Sequence, residues 1–332
     1  MIGNGDGDGD GDGGGAAGGR TFADTLRWAQ GALRPGERIT GVAELKGGWT
    51  SRMRRLDVEG PGGGGGHALV LRSFVKPFYR RHAPGLLERE AGVLRLLETG
   101  AVPAARLRAL DGRGAACDHP SLVMTHLPGR VRLEQDADTG RRAGLLAAQL
   151  AAVHALSVGE QQRPRAWQAW TAPGLVRVPG ATARPALWAR AVAEIDREAP
   201  ALRPCFLHRD FHPGNVLFTG SGADLAVSGV VDWVETSWGP ADLDVAHCST
   251  ALALLHGPAA GLAFADRYRE AGGTLAEGRD HLYWRLLDAL AFAPDAEKVA
   301  VPWRELGRTD LTPAVLTDRL EDYLQALFDR YA

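Results

Sequence analysis

The chain has 332 residues, enough for one large domain or two lobes, and 43 of them are glycine. Because 38 lysines and arginines nearly balance 40 aspartates and glutamates, the overall charge does not favour binding to nucleic acid or to an anionic membrane. Three cysteines far apart in the sequence, Cys117, Cys205 and Cys248, exclude a disulfide framework and a cysteine-based metal site.

The first 20 residues alternate glycine with aspartate and are predicted to form a disordered tail. They lack the basic and apolar segments of a signal peptide, and no apolar run in the chain approaches the roughly 20 residues that span a bilayer. We therefore expect a cytoplasmic protein with no membrane partner. Residues 21–34 are predicted to form a short helix with Phe22, Leu26 and Leu33 on one face.

The following region has the pattern of a sheet with one amphipathic helix. Strands are predicted at residues 39–45, 53–58, 68–74, 105–110 and 120–126. The glycine run at 62–66 separates two of these strands and is typical of a flexible hairpin tip. Residues 85–99 carry apolar side chains at helical spacing, and Gly100 closes that helix.

Beyond Gly129 the apolar side chains recur mainly at helical spacing. A strand-rich first third followed by a helical two-thirds predicts an α+β protein with two unequal lobes. The smaller lobe is predicted over residues 21–127 and the larger one over residues 128–332, with a hinge near Met124–Pro128.

The segment Leu207–Phe218 carries the strongest chemical signal in the sequence. It is apolar at both ends and has a turn-forming Pro-Gly in its centre, so Asp210 and Asn215 can converge from one loop. Phosphoryl transfer uses a carboxylate to accept a hydroxyl proton and an amide oxygen to bind Mg²⁺. The pattern His-Arg-Asp, four residues and then Asn matches the kinase catalytic loop.

A second carboxylate follows Asn215 in the sequence. The apolar run at 225–231 is predicted to be a short strand that ends at Asp232, and Trp233 comes next. A carboxylate at the end of a strand, facing the same cleft, is suited to bind Mg²⁺ between the β- and γ-phosphates. The two segments, in this order and spacing, predict a phosphotransferase site.

On these residues the chain resembles the aminoglycoside phosphotransferase and choline kinase-like family of small-molecule kinases. The resemblance covers residues 35–300, and its most specific parts are residues 208–215, 231–233 and 239–246. It implies a bilobal protein-kinase-like fold with an antiparallel sheet and one helix in the small lobe.

The resemblance also implies roles for individual residues of the large lobe. Asp210 would be the catalytic base, with His208 supporting its loop. Asn215 and Asp232 would be the magnesium ligands, and Asp244 would have a structural role.

In the small lobe, a loop between two strands is predicted to cover the phosphates of the nucleotide. The loop contains Gly47, Gly48, Thr50 and Ser51, and its glycines allow backbone N–H groups to approach phosphate oxygens.

The resemblance calls for a basic residue on the third strand, paired with a glutamate on the following helix. Arg72 occupies that place and Glu90 is its expected partner, with Lys76 as the alternative cation. Met124 and His126 would belong to the hinge whose backbone binds the adenine edge.

The leading hypothesis is therefore ATP-dependent transfer of the γ-phosphate to a hydroxyl of a small molecule, either an antibiotic or a metabolite, with GTP as the alternative donor. A catalytically silent, nucleotide-binding pseudokinase is a second hypothesis, although the base and both metal ligands are present. A third is a metal-dependent hydrolase, which would use His208, Asp210, His212, Asp232 and His247 but needs a tighter histidine cluster.

The distribution of charged residues is the feature of the sequence that bears on the identity of the acceptor. Residues 160–192 contain five arginines and, after Glu160, no acidic residue, which disfavours a polycation such as an aminoglycoside. A neutral or anionic hydroxylated metabolite, or a macrolide, fits at least as well. A negative rim could still come from Glu235, Asp242, Glu321 and Asp322. We expect a monomer or weak dimer with no nucleic-acid partner.

Overall fold

The computed structural model describes residues 20–45 and 50–332. The chain divides into two compact units. The first unit consists of the chain up to Glu98 together with Ala105–His126, and the second consists of Thr99–Ala104 together with Leu127–Ala332.

The first unit is built on a five-stranded sheet in which all neighbouring strands are antiparallel. Its strands are β1 (Arg38–Leu45), β2 (Arg52–Glu59), β3 (Gly66–Ser73), β4 (Leu107–Asp111) and β5 (Ser121–Thr125), and their order across the sheet is β1-β2-β3-β5-β4. Its helices are α1 (Phe22–Gly31) and α2 (Pro77–Leu97).

Helix α1 begins at a capping box and packs its apolar face on the sheet. The backbone N–H of Thr21 donates to Asp24 Oδ2 at 2.7 Å, which satisfies a donor that the first helical turn leaves open. Ala29 is fully buried against Leu56 and Leu71 of the sheet. The predicted helix at 21–34 is thus present and ends slightly earlier.

Helix α2 begins eight residues earlier than the predicted helix at 85–99. Pro77 occupies the first turn, where its fixed φ suits a helix and its missing N–H costs nothing. Pro84 looks like a helix start in the sequence but lies inside α2. Because the period of the apolar residues upstream of Pro84 is weak, the sequence did not reveal the first two turns.

The second unit contains seven helices and two two-stranded antiparallel sheets among the residues that the structure describes. The helices are α3 (Thr139–His154), α4 (Pro185–Ile195), α5 (Ala241–His256), α6 (Pro258–Glu270), α7 (Gly278–Ala289), α8 (Glu297–Glu305) and α9 (Pro313–Tyr331). The strands are β6 (Pro204–Leu207), β7 (Val216–Thr219), β8 (Ala226–Val230) and β9 (Ser237–Pro240), with β6 paired to β9 and β7 to β8. These elements confirm the predicted α+β class.

Helix α5 is the centre of the second unit. Every residue from Asp242 to Leu255 is buried, and the helix packs against α6, α7 and α9. A polar side chain on such a helix is removed from water and needs a partner inside the protein. The polar residues of α5 are therefore where a buried hydrogen-bond network forms.

No helix in the described ranges 20–45 and 50–332 combines the length and the apolar character that a membrane span requires.

Candidate active site

The loop between β6 and β7 is anchored by a buried carboxylate on α5. Asp244 is fully buried, and its two oxygens accept hydrogen bonds from the backbone N–H groups of His208 (2.8 Å) and Arg209 (2.7 Å). The His154 ring lies 3.1 Å from the same carboxylate. Burial alone would raise the pKa of Asp244, but the hydrogen bond to His154 and the nearby basic side chains lower it. Asp244 therefore acts as an ionised anchor for the loop.

Arg209 has a strained backbone conformation that the contacts of its backbone and side chain hold in place. Its φ is +72°, a left-handed conformation that costs a non-glycine residue roughly 1–3 kcal/mol and persists only where the surrounding structure imposes it. The guanidinium lies 3.8 Å from the centre of the Trp170 ring and donates to the backbone oxygen of Gln168 at 3.1 Å. The strained backbone turns the next residue, Asp210, away from the β6 direction.

His208 joins the loop to the end of β8. Its Nε2 lies 3.0 Å from the backbone oxygen of Val231, and because a carbonyl can only accept, Nε2 carries the proton. Its Nδ1 then accepts the backbone N–H of Asp210 at 3.3 Å. Burial lowers the pKa of His208, in agreement with a neutral ring. His208 thus connects the two segments that the sequence singled out.

Asp210 presents a partly exposed carboxylate whose orientation is fixed on both sides. The side chain is 23% exposed, so an acceptor hydroxyl can reach it. Oδ1 lies 3.1 Å from His247 Nε2, and Oδ2 accepts from Asn215 Nδ2 at 3.2 Å. Burial would raise the pKa of Asp210, but the hydrogen bond from His247 holds it far below its usual range. The carboxylate is ionised at neutral pH.

Asn215 and Asp232 carry the donor atoms that suit Mg²⁺. Asn215 Nδ2 also donates to the backbone oxygen of Asp210 at 2.9 Å, so its amide oxygen is the atom available to a cation. The backbone N–H of Val231 donates to the backbone oxygen of Asn215 at 2.9 Å, which ties the residue before Asp232 to the loop. An amide oxygen and a carboxylate form a hard donor set of the kind magnesium prefers. Asp232 has φ +65°, and non-glycine residues with such a φ cluster at functional sites.

A transition-metal site at the same place is disfavoured by the positions of the protons. Ligand atoms of Asp210, His212 and His247 lie within 4.8 Å of one another. However, His212 Nδ1 accepts the backbone N–H of Gly214 at 3.0 Å, so its other nitrogen carries the proton of the neutral ring. Burial lowers the pKa of His212 to about 4. Each ring would have to give up a proton or a hydrogen bond to bind a metal, which argues against the hydrolase hypothesis.

Gly214 is required by the close approach of the His212 ring. A methyl group on Gly214 would lie 2.6 Å from His212 Cε1 and 2.9 Å from its Nδ1. We expect Gly214→Ala to displace the ring, to lower thermal stability by about 1–3 kcal/mol and to reduce kcat. Gly174→Ala is the matched control, since a methyl there meets nothing within 4 Å. Equal melting temperatures and rates for the two variants would contradict this assignment.

In the first unit, Arg72 and Glu90 form a buried ion pair. Arg72 is 3% exposed and its Nη1 lies 2.8 Å from Glu90 Oε1 on α2. Its Nε donates to Ser51 Oγ at 3.0 Å, and its Nη2 lies 3.5 Å from Thr50 Oγ1. The structure therefore brings four of the predicted phosphate-site residues together. Lys76 lies at the N-cap of α2, and Gly47 and Gly48 lie outside the described residues.

Breaking this buried pair should destabilise the protein strongly. Glu90→Gln removes the negative charge of the buried pair while keeping the shape of the side chain, and the expected loss is about 3–5 kcal/mol. The exposed pair of Arg55 and Asp57 on β2 provides the control, because Asp57→Asn there should cost no more than about 1 kcal/mol. Thermal unfolding of the three proteins measures both effects. A Glu90→Gln variant as stable as Asp57→Asn would refute the importance of the pair.

The residues predicted for the hinge lie at the end of β5. Met124 is paired with Val70 on one side and Leu107 on the other, and the backbone N–H of His126 donates to Ala68 at 3.1 Å. These bonds belong to the sheet, so the amide of His126 is not free to bind a nucleotide. The role of both residues in adenine binding remains a prediction.

Sequence reasoning missed Asp288 of α7, which lies behind His247. Asp288 Oδ1 is 3.0 Å from His247 Nδ1. The signal was a single carboxylate inside the otherwise apolar run of residues 286–292, where a buried charge needs a partner.

Comparison with known proteins identifies the family. The sequence model of the phosphotransferase enzyme family matches residues 41–287, and the chain therefore belongs to this family. A search of curated proteins found no match.

Solved structures share the fold over nearly the whole chain. A candidate aminoglycoside phosphotransferase from Ralstonia eutropha JMP134 has a TM-score of 0.62 at 18% identity, with 93% of this chain and 98% of that chain covered. A type VIII aminoglycoside-3′-phosphotransferase has a TM-score of 0.53 at 26% identity, with 81% and 98% covered. A thermostable mutant of the aminoglycoside phosphotransferase APH(4)-Ia, in a ternary complex with ADP and hygromycin B, has a TM-score of 0.59 at 16% identity, with 92% and 97% covered. These similarities confirm the expected family and its bilobal kinase-like fold.

Proposed function

We propose that the chain is an ATP-dependent phosphotransferase that moves the γ-phosphate to a hydroxyl of a small molecule. The observation that carries the proposal is the Asp210 carboxylate, which is partly exposed and is oriented by His247 on one oxygen and Asn215 on the other. In a member of the phosphotransferase enzyme family, such a group is suited to orient an attacking hydroxyl.

In the proposed step, the acceptor oxygen forms a bond to the γ-phosphorus. The bond from that phosphorus to the bridging oxygen breaks, and ADP leaves with the electron pair. The hydroxyl proton passes to Asp210. Because Asp210 is a weak base, its main contribution is to hold the hydroxyl in line, and it accepts the proton late in the step.

Asn215 and Asp232 are the residues that we propose to hold magnesium. When bound, the ion would supply positive charge that neutralises the charge developing on the leaving group. His208 supports this arrangement, because it joins the loop of Asn215 to the segment that carries Asp232.

For the triphosphate, we propose contacts from Arg72 and from Thr50 and Ser51, which the Arg72 side chain positions. Gly47 and Gly48 complete this proposed loop. ATP is the preferred donor in the proposal, supported by the ADP bound in the related APH(4)-Ia structure, and GTP is the alternative.

Two of the arginines and all four of the carboxylates that were expected to influence the acceptor have partners in the structure. Arg165 binds Glu235 at 2.5 Å, and Arg184 binds Asp322 at 2.7 Å. Two of the five arginines of this segment therefore have counter-charges from distant parts of the chain, contrary to the expectation from its composition. Glu321 accepts a hydrogen bond from Trp188 and Asp242 one from His281. Since these carboxylates are engaged, they do not form a free negative rim, and we propose an acceptor of low net charge.

A nucleotide-hydrolysis assay coupled to ADP detection, run over antibiotics, sugars, amino alcohols and nucleosides, tests this function. We expect at least one hydroxylated compound to raise the rate of ADP formation. Binding of ATP in calorimetry with no product from any compound would instead favour the pseudokinase alternative.

A further inference from the structure

A buried chain of hydrogen bonds runs from Asp210 into the interior of the second unit. His247 on α5 is 1% exposed, and its Nε2 lies 3.1 Å from Asp210 Oδ1. Its Nδ1 lies 3.0 Å from Asp288 Oδ1 on α7, which is 4% exposed. Asp288 Oδ2 in turn accepts a hydrogen bond from Thr250 Oγ1 at 2.8 Å. Both nitrogens of one imidazole therefore face a carboxylate.

This arrangement requires two protons on the ring. An ionised carboxylate can only accept hydrogen bonds, so each ring nitrogen of His247 must donate, and the imidazole is positively charged. Burial alone would lower the pKa of His247, but the carboxylates of Asp288 and Asp210 outweigh it and raise the pKa to about 9.

Aromatic side chains surround the His247 ring, and several ionisable groups lie near its two carboxylate partners. Trp170 packs edge-on against His247 at 5.0 Å between ring centres, and Phe292 lies at 5.5 Å. Among the described residues, His208 and the neutral His212 lie close to Asp210, and Arg209 and Lys298 interact electrostatically with Asp288. Cys248 and Tyr323 are the uncharged ionisable groups near Asp288.

We propose that His247, kept charged by Asp288, is a positioning residue that fixes the orientation of the Asp210 carboxylate and keeps it ionised for the attacking hydroxyl. The inference rests on the proposed function, in which Asp210 orients the acceptor. A displacement of about 1 Å at such a group costs on the order of 10²-fold in rate, so a fixed carboxylate has a direct kinetic value.

The substitution Asp288→Asn should remove the positive charge of His247 while keeping its hydrogen bond to Asp210. The asparagine can donate to Nδ1, so that a neutral His247 still donates from Nε2 to Asp210. That hydrogen bond is no longer charge-assisted, so it is weaker and holds the Asp210 carboxylate less firmly. We expect the rate of ADP formation from Mg·ATP, with water as acceptor, to fall about 10- to 100-fold at pH 7.5 with KM for Mg·ATP little changed.

The dependence on pH distinguishes positioning from a structural role. In the wild type the rate should fall as pH rises through about 9, where His247 loses its proton. In Asp288→Asn this fall in rate should occur at a pH about one to three units lower than in the wild type. Lowering the pH to 6 should therefore restore much of the rate of the variant. A variant that is merely loosened would keep the wild-type pH profile.

The chain offers a matched control on the same two helices. Asp242 of α5 lies 2.7 Å from His281 of α7 in another buried pair, which does not touch Asp210. In Asp242→Asn the rate should fall at the same alkaline pH as in the wild type. A shift as large as that in Asp288→Asn would overturn the inference.

A second readout needs neither activity nor a folded variant. In protein labelled with ¹⁵N-histidine, the His247 ring of the wild type should show two protonated nitrogens at pH 7 and titrate near pH 9. A neutral His247 ring at pH 7 overturns the inference. If Asp210→Asn is inactive while Asp288→Asn has the wild-type rate at every pH, this inference is refuted and the proposed function stands. A fully active Asp210→Asn would refute the proposed function itself.

Discussion

Replacing Asp210 by asparagine should reduce kcat for phosphoryl transfer by about 10²- to 10⁴-fold, the range that a positioned general base contributes. The amide keeps the shape of the side chain but cannot accept the hydroxyl proton as a carboxylate does. Binding of Mg·ATP should stay close to that of the wild type, because the proposed nucleotide contacts lie on other residues. Steady-state rates with the best acceptor and calorimetric titration with Mg·ATP measure the two quantities.

Asp224→Asn is the matched control for this substitution. Asp224 is an exposed carboxylate in the turn between β7 and β8, so its loss should leave kcat unchanged. Circular dichroism and the melting temperature establish that both variants are folded. A folded Asp210→Asn variant with wild-type kcat would refute the assignment of Asp210 as the base.

Replacing Asp232 by asparagine should weaken the apparent affinity for magnesium and lower kcat with it. Loss of an outer partner of a metal site typically costs about 10- to 100-fold in affinity, and loss of a direct carboxylate ligand should cost at least as much. Asparagine is chosen because it tolerates a positive φ better than most residues, and Asp232 has φ +65°. Rates measured over a magnesium titration at saturating ATP give the shift.

The dependence on magnesium separates a ligand from a structural residue. In Asp232→Asn, raising the concentration of magnesium should recover part of the lost rate, whereas a misfolded variant would not respond. Glu235→Gln, three residues further along and engaged with Arg165, serves as the control and should keep the wild-type magnesium dependence. An unchanged magnesium titration in Asp232→Asn would exclude the proposed ligand.

Features encoded by neighbouring residues could be predicted from the sequence. The strands of the first unit follow from alternating apolar residues, and the loop with Asp210 and Asn215 follows from a contiguous motif. The start of α2 was missed because Pro84 resembles a helix start, although it lies inside the helix. In that case the tertiary structure overrides a local signal.

Features that depend on distant residues could not be predicted in the same way. His247 and Asp288 are 41 residues apart and meet only because α5 and α7 pack together. The composition of residues 160–192 predicts arginines without counter-charges, yet Arg165 forms an ion pair with Glu235 and Arg184 forms one with Asp322. A charge count over one segment cannot reveal such partners, because ion pairs form in space rather than along the chain.

The most direct test of the central claim follows the phosphoryl group itself. The wild type and Asp210→Asn are incubated with magnesium and ATP labelled with ¹⁸O in its γ-phosphate, together with the acceptor that most stimulates ADP formation, and the acceptor is analysed by mass spectrometry. The account predicts that the wild type yields an acceptor carrying the labelled phosphoryl group and that Asp210→Asn yields almost none. Labelled inorganic phosphate with no phosphorylated acceptor, or equal product from both proteins, would contradict it.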